Sequence, residues 1–382
     1  MNGPGVTAKS ACEVCLRRSW LIAALAPYIQ VACDDLPGKR TPELLRLDDQ
    51  DLAAAVARKH MDRILSEVEA IPEVRMLTEL EDTGCWACCV HDESFPDGLG
   101  DGADGPRILI GKGDGLQLAD LSMSASVTVV GARRATGYGL EVARTLGREL
   151  AAAGLTVVSG LALGIDGAAH RGAVETGRTV AILASGADRP YPVSHTWLYR
   201  QVLEHGLVIS ELPPGTTPLR WQFPARNRIM AALSRMTVVV EAAIRSGSLI
   251  TAEMAGDAGR EVGAVPGQVT VSAAAGTNEL LASGAALIRD GRDVIDRVIG
   301  LGAMPAPAGG PAVDSAQAKV LSAVEAGCST VDAGADFLAM DADVVAISLA
   351  RLEVMGYLVC SLTGTYARTT QPAPPEAYAD ER

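Results

Sequence analysis

The chain has 382 residues, 48% of them hydrophobic and 21% charged, with a net charge of −13; that is ample for two or three cored domains and excludes disorder as its general state. An acidic chain argues at first sight against nucleic acid, because phosphate contacts need Lys or Arg. The distribution reverses that reading: residues 127–298 hold 17 arginines, no lysine and 15 acids, which leaves −15 on the rest.

In chain order, residues 1–80 read as a small helical domain, with apolar positions at Leu21, Ile22, Leu25, then Leu44, Leu45, Leu52, Val56, and Ile64, Val68 at spacings near three and four. No charged start, apolar core and small-residue cleavage site occurs at the N-terminus, and no run approaches the roughly 18 apolar residues of a membrane span. The expectation is a cytosolic chain with no membrane partner. Six of the eight cysteines fall in the first 90 residues: Cys12, Cys15, Cys33, Cys85, Cys88 and Cys89. With His91, the pairs Cys12/Cys15 and Cys85/Cys88 have the spacing to close a tetrahedral zinc site. Because no knuckle glycines accompany the pairs, the simpler reading is a set of small buried hydrophobes, and no metal or cofactor is assigned.

Residues 81–300 read as one domain. A loop rich in Gly and Asp (95–105) leads to a short strand at 107–111. Beyond it the runs Val127–Val130, Leu155–Val158, Val180–Leu183, Leu207–Ile209, Thr237–Val240 and Val262–Val265 have strand length and β-branched content. Amphipathic stretches separate them, which predicts an α/β fold with an extended Rossmann-like parallel sheet. Their unbroken apolarity predicts a sheet covered on both faces. A Gly/Pro/Ala-rich linker is expected over 301–313, three helices and a hairpin in the order of a winged helix over 314–369, and a disordered tail over 370–382.

The turns after these strands carry the chemistry. Gly131-Ala132-Arg133-Arg134 follows a strand and precedes a helix, where backbone N–H groups and the helix dipole favour an anion. It is not GxGxxG, and the acid expected about 20 residues on to hold a ribose is missing, so a dinucleotide is not the expected ligand. Two adjacent guanidinium groups suit a phosphodiester backbone instead. The segment Phe223-Pro224-Ala225-Arg226-Asn227-Arg228 offers two arginines, an amide and an aromatic that can hold phosphates and stack a base; the alternative is that Arg226 or Arg228 pairs with Glu211 or Glu241. Ser159-Gly160 and Ser246-Gly247-Ser248 allow close backbone approach, although an ordinary helix cap looks the same. Asp166 and His170, four apart, read as a buried hydrogen-bonded pair holding a loop. No nucleophile with a matched base, Walker A sequence or HExxH occurs, so no enzyme activity is expected.

Taken together these blocks resemble the DNA-processing protein A family (DprA, also called Smf). The resemblance rests on Val130-Gly-Ala-Arg133, Val158-Ser-Gly-Leu-Ala162, Gly164-Ile-Asp166 with Ala169-His170, Gly186-Ala-Asp188 with Tyr191-Pro192, Ile209-Ser-Glu211, Phe223-Pro224 with Arg226-Asn-Arg228-Ile229, Ser246-Gly-Ser-Leu-Ile-Thr-Ala252 and Val265-Pro-Gly267. It implies a homodimeric, non-enzymatic binder of single-stranded DNA that protects incoming DNA in natural transformation and helps load the RecA recombinase. It also implies a sterile-alpha-motif-like N-terminal domain and a winged-helix-like C-terminal domain. The chain departs from the family where Ala132 replaces a common serine, Val193 and Ala225 replace frequent basic residues, and His195 replaces an asparagine; Arg134, Arg189 and Arg220 are the nearby arginines available to compensate. The expected nucleic-acid contacts are Gly131, Arg133, Arg134, Ser159, Gly160, Arg189, Phe223, Arg226, Asn227, Arg228, Ser246, Gly247 and Ser248. The competing reading is a Rossmann-type nucleotide hydrolase related to the phosphoribohydrolases. Those carry Pro-Gly-Gly-x-Gly-Thr where this chain has Arg245-Ser-Gly-Ser-Leu-Ile-Thr251.

Overall fold

The computed structural model describes residues 11–34, 41–97, 99, 105–118, 121, 123–300, 311–361 and 364–369. The tail expected over 370–382 and residues 301–310 of the expected linker lie outside them. The chain divides into two compact units, Met1–Ala303 and Met304–Arg382.

Four helices open the first unit: α1 (Glu13–Asp34), α2 (Asp49–Ala57), α3 (Met61–Glu69) and α4 (Glu73–Thr83). The Asp48 side chain accepts from the Asp51 N–H and starts α2, whereas Gly84, in the left-handed region at φ 65°, ends α4. Leu16, Ile22, Leu25 and Ile29 of α1 share one core with Ala181, Leu183 and Val208. Polar contacts reinforce this seating: Ser19 Oγ donates to the Glu211 carbonyl at 2.7 Å and Trp221 Nε1 donates to the Ala26 carbonyl at 3.0 Å. The helical segment read over 1–80 therefore stands in the same compact unit as the sheet.

Nine strands form that sheet: β1 (Trp86–Cys89), β2 (Ile108–Gly113), β3 (Ser126–Val130), β4 (Thr156–Ser159), β5 (Thr179–Ile182), β6 (Gly206–Ser210), β7 (Met236–Val239), β8 (Glu261–Ala264) and β9 (Ala286–Leu287). Their order is β1-β2-β6-β5-β4-β3-β7-β8-β9. Strands β3 to β9 run parallel, and only β2 opposes its neighbours. Every residue of β3 through β7 is buried, as expected of strands covered on both faces. Helices α5 (Gly137–Ala152), α6 (Ile165–Ala173), α7 (Thr196–His205), α8 (Gln222–Leu233), α9 (Gly247–Asp257), α10 (Ala275–Ala282) and α11 (Gly291–Val298) supply the crossovers and covering layers.

The chain winds from β3 to β6 on one side of the sheet and from β7 to β9 on the other. The direction reverses between β3 and β7, and at such a switch point the loops beyond the strand ends part and leave a crevice. Strand β1 was not anticipated, and its alternation corrects the cysteine reading. Cys85, Ala87 and Cys89 join the core that contains α1, whereas Trp86 and Cys88 join the core on the other side of the sheet. The set Cys12, Cys15, Cys85 and Cys88 is thus split across two faces and does not assemble.

The second unit consists of α12 (Ser315–Glu325), α13 (Val331–Leu338) and α14 (Ala342–Val354), followed by the antiparallel pair β10 (Leu358–Cys360) and β11 (Tyr366–Arg368). A capping box of Asp314 and Gln317 starts α12. Val320, Leu321, Val345, Leu349, Leu352 and Tyr357 form the core of this unit.

Candidate nucleic-acid interface

A cleft of about 530 Å³ lies at the switch point, walled by the loop after β3 (131–134), the loop after β7 (243–248) and the first turns of α8. Three elements remote in sequence meet here because β3 and β7 are hydrogen-bonded neighbours. Gly131 is required for that meeting, since a Cβ on it would stand 2.5 Å from Ile165 Cγ1 and 2.9 Å from the Glu241 carbonyl oxygen. The Ala132 N–H donates to that same carbonyl at 2.7 Å.

The arginines divide into two classes. Arg133, Arg134 and Arg245 line the cleft and are exposed. The Arg133 guanidinium lies 4.9 Å above the Phe223 ring, and Phe223 in turn meets the exposed Tyr191 with ring centroids 5.5 Å apart and an interplanar angle of 51°. A cation held on an aromatic face is attracted by the ring quadrupole while its edge stays available to an anion. Arg226 and Arg228, by contrast, are only 7% and 5% exposed. Arg226 donates to the Gly160 carbonyl at 2.6 Å, to the Ile182 carbonyl and, from Nε, to Asn227 Oδ1 at 3.0 Å. Asp166 Oδ2 stands 3.9 Å from its guanidinium. Burial pulls its pKa down to about 10 and Arg133 adds to this, while Asp166 opposes it, so Arg226 stays charged at neutral pH. Arg228 Nη2 holds both Glu211 oxygens, at 2.8 and 2.7 Å. Of the two roles weighed for Arg228, the ion pair with Glu211 is therefore present.

The small residues also take local roles. Ser159 is buried and donates to the Val129 carbonyl at 2.6 Å. A Cβ on Gly160 would fall 2.1 Å from Arg226 Nη2, so the missing side chain is what seats that guanidinium. Ser246 caps α9 by accepting from the Ser248 N–H at 3.4 Å. Gly247 is exposed with open space around it, and Arg189 is exposed beyond β5. Sequence reasoning left out Arg245 and Tyr191. Arg245 immediately precedes the Ser246 cap in the loop after β7, the strand beside β3, and holds φ 71°, and Tyr191 belongs to a Tyr-Pro pair; both were legible as turn positions but not as neighbours of Arg133.

Two other expectations need revision. The turn before α5 was read as offering free N–H groups, yet the buried Glu241 carboxylate accepts from the Thr136 N–H at 3.0 Å and from Thr136 Oγ1 at 2.5 Å. A carboxylate of the chain's own thus already sits at this helix start, where the dipole favours negative charge. Asp166 and His170 do not pair. Asp166, in the first turn of α6, accepts from the N–H groups of Gly160 at 3.1 Å and Ala162 at 3.4 Å. His170, one turn on, faces β5 and meets Thr179 Oγ1 at 2.7 Å. Thr179 donates its hydroxyl proton to the Val157 carbonyl at 2.8 Å, so the His170 Nδ1–H is the donor in that contact.

A profile of the DNA recombination-mediator protein A family matches residues 86–299. DNA processing protein DprA of Bacillus subtilis is 33% identical over 259 residues, covering 68% of this chain and 84% of that protein. A Mycobacterium tuberculosis protein that carries the DprA name is 44% identical over 242 residues, and the match spans 62% of each chain's length. Among solved structures, DNA processing protein A from Streptococcus pneumoniae superposes with a TM-score of 0.57 at 31% identity, covering 75% of this chain and 98% of that one. DNA processing protein A from Helicobacter pylori, described for its single-stranded DNA binding mode, superposes with a TM-score of 0.50 at 30% identity, covering 56% and 95%. No helix among the described residues is long and apolar enough to cross a membrane.

Proposed function

This chain belongs to the DNA recombination-mediator protein A family, and on that premise we propose that it binds single-stranded DNA in the cleft between β3 and β7, without reading sequence. The observation that carries the proposal is the cation and aromatic platform: Arg133 seated on Phe223, with Tyr191 beside it and Arg134 and Arg245 exposed along the same rim. Guanidinium groups grip phosphates whatever the base, and a half-buried ring offers a stacking face that accepts any base. Direct contact falls to Arg133, Arg134 and Arg245, with Arg189 extending the track. Arg226, Asn227 and Arg228 act from behind as the charged frame that holds the loops, and Gly131, Gly160 and Gly247 let backbones approach. A solved relative described for single-stranded DNA binding supports this choice of ligand.

In the cell the protein would protect incoming single strands during natural transformation, present them to the RecA recombinase, and act as a cytoplasmic homodimer in which a two-fold axis joins two clefts into one track. Its C-terminal unit would be a winged-helix-like module. The role is that of an adaptor and not of a hydrolase: Glu241, the acid a phosphoribohydrolase reading would call on, has both carboxylate oxygens committed to Thr136. Fluorescence anisotropy of labelled oligonucleotides across a salt series tests the binding. Single strands of any composition should bind more tightly than duplex, with affinity falling log-linearly in salt. Equal affinity for duplex, or binding indifferent to salt, would overturn it.

A further inference from the structure

The DNA-binding cleft uses none of the cysteines, yet three of them converge. Cys12 immediately precedes α1 and Cys15 lies within its first turn, while Cys89 ends β1 and His91 stands in the turn after it. Cys12 Sγ, Cys15 Sγ and Cys89 Sγ stand 3.4, 3.5 and 3.7 Å from His91 Nδ1. All four atoms lie within 4.8 Å of one another. Hydrogen bonding does not account for the arrangement, because one imidazole nitrogen offers a single lone pair or a single proton and faces three sulfurs.

A metal does account for it. Zinc–sulfur and zinc–nitrogen bonds of about 2.3 and 2.0 Å in a tetrahedron set the sulfur-to-nitrogen edge at about 3.5 Å, and the three observed separations bracket that value. We propose that Cys12, Cys15, Cys89 and His91 hold a structural zinc ion that fastens the start of α1 to the end of β1. Side-chain alternation along β1 selects Cys89 over Cys88, which faces the other core and meets Ser94 Oγ at 3.4 Å. Cys85 shares the face of Cys89 but lies four residues earlier, roughly 13 Å along an extended chain. The Cys12 N–H donates to Cys89 Sγ at 3.4 Å, the kind of outer contact that steadies a metal-bound thiolate. Four protein ligands fill a tetrahedral ion, so the site is a fastening between segments 77 residues apart and not a catalytic centre. Three thiolates, a neutral imidazole and Zn²⁺ sum to one negative charge, and the recess that borders Cys15 and His91 is lined by Arg107, by Asp48 and by Arg18, which pairs with Asp49.

Metal analysis of the full chain, purified from zinc-supplemented cells and dialysed against a weak chelator, tests this. One zinc per chain is expected in the wild type, in Cys85→Ser and in Cys88→Ser, with loss of most of it in Cys89→Ser and His91→Ala. Should a variant fail to fold, the wild type alone decides: cobalt added to the chelator-stripped protein should give the sulfur-to-cobalt charge-transfer band and the intense visible bands of a tetrahedral thiolate site. Background zinc in the wild type, an octahedral cobalt spectrum, or loss of zinc from Cys88→Ser with retention in Cys89→Ser would each overturn the proposal.

Discussion

Arg133 in the loop after β3 and Arg228 in α8 do different work, and substitution separates them. Arg133→Ala removes an exposed guanidinium that rests on Phe223. It should leave stability almost unchanged and flatten the salt dependence of single-strand binding by about 0.7 logarithmic units, the value for one phosphate contact. An unaltered slope in the folded variant would remove Arg133 from the interface. Arg228→Ala strands Glu211, whose side chain is 12% exposed, and should cost about 3 kcal/mol by urea unfolding, because an uncompensated buried charge is what remains. A loss below about 1 kcal/mol would mean that water reaches and solvates Glu211. His170 sets an acid limit. Burial, aided by Arg226, pushes its pKa from 6.5 down to about 3. Below pH 6.5 the unfolded chain takes up a proton that the folded chain refuses, so this contribution is complete above pH 6.5 and is lost as the pH falls toward 3. Burial raises the Asp166 carboxyl, whose contribution has the opposite sign: it is full below pH 3.8 and declines above. The comparison is therefore between variants. His170→Gln should show a shallower stability loss than wild type between pH 6.5 and 3, and equal slopes would assign the acid sensitivity elsewhere.

The pair α5 and α6 covers β3 and β4, and two glycines set how closely it packs. A Cβ on Gly147 would stand 2.1 Å from the Ala169 carbonyl oxygen, and one on Gly172 would stand 1.8 Å from that of Arg144. Both neighbours are backbone, so no rotamer change relieves the clash and one helix must move. Gly147→Ala should lower stability by about 2 kcal/mol, in the range of core overpacking. Since α6 carries Asp166, which accepts from the Gly160 and Ala162 N–H groups, the same substitution should weaken DNA binding without touching the cleft. A variant as stable as wild type would show that the helices separate freely. Helix α1 is a second case of an element acting at a distance, because Ser19 and Ala26 meet the Glu211 and Trp221 positions that frame α8.

On the scale of the whole chain, the C-terminal unit is not expected to be the main grip on DNA. A groove-reading helix needs several basic or amide groups free to face the duplex. Here Arg351 stands 3.8 Å from Asp314, and Arg368 pairs with Glu325 at 3.0 Å while lying over the Tyr357 ring. Truncation before Pro311 should leave most single-strand affinity in place. If nearly all of it disappears while the remaining unit stays folded, the arginine rim is not the principal site.

Composition, strand periodicity and the turn motifs were sufficient to read a parallel α/β sheet, the helical start and the rim that collects Arg133, Phe223 and Ser246, because burial on both faces of a sheet imposes continuous apolar runs that need no partner to recognise. Which arginine faces solvent was not legible. Arg226 and Arg228 stand two apart in α8, so they point to different sides of the helix, and nothing local marks what packs against either; Gly160 and Asp166 come to Arg226, and Glu211 to Arg228, from parts of the chain remote in sequence, through the order of the strands. Arg245 joined Arg133 for the same reason, since β3 and β7 are adjacent in the sheet although remote in sequence, with Val127 opposite Met236 and Val130 opposite Val239. The cysteines make the point most sharply: CxxC spacing suggests pairs, but a strand turns successive side chains to opposite faces, and that alternation places Cys89 rather than Cys88 beside Cys12, Cys15 and His91.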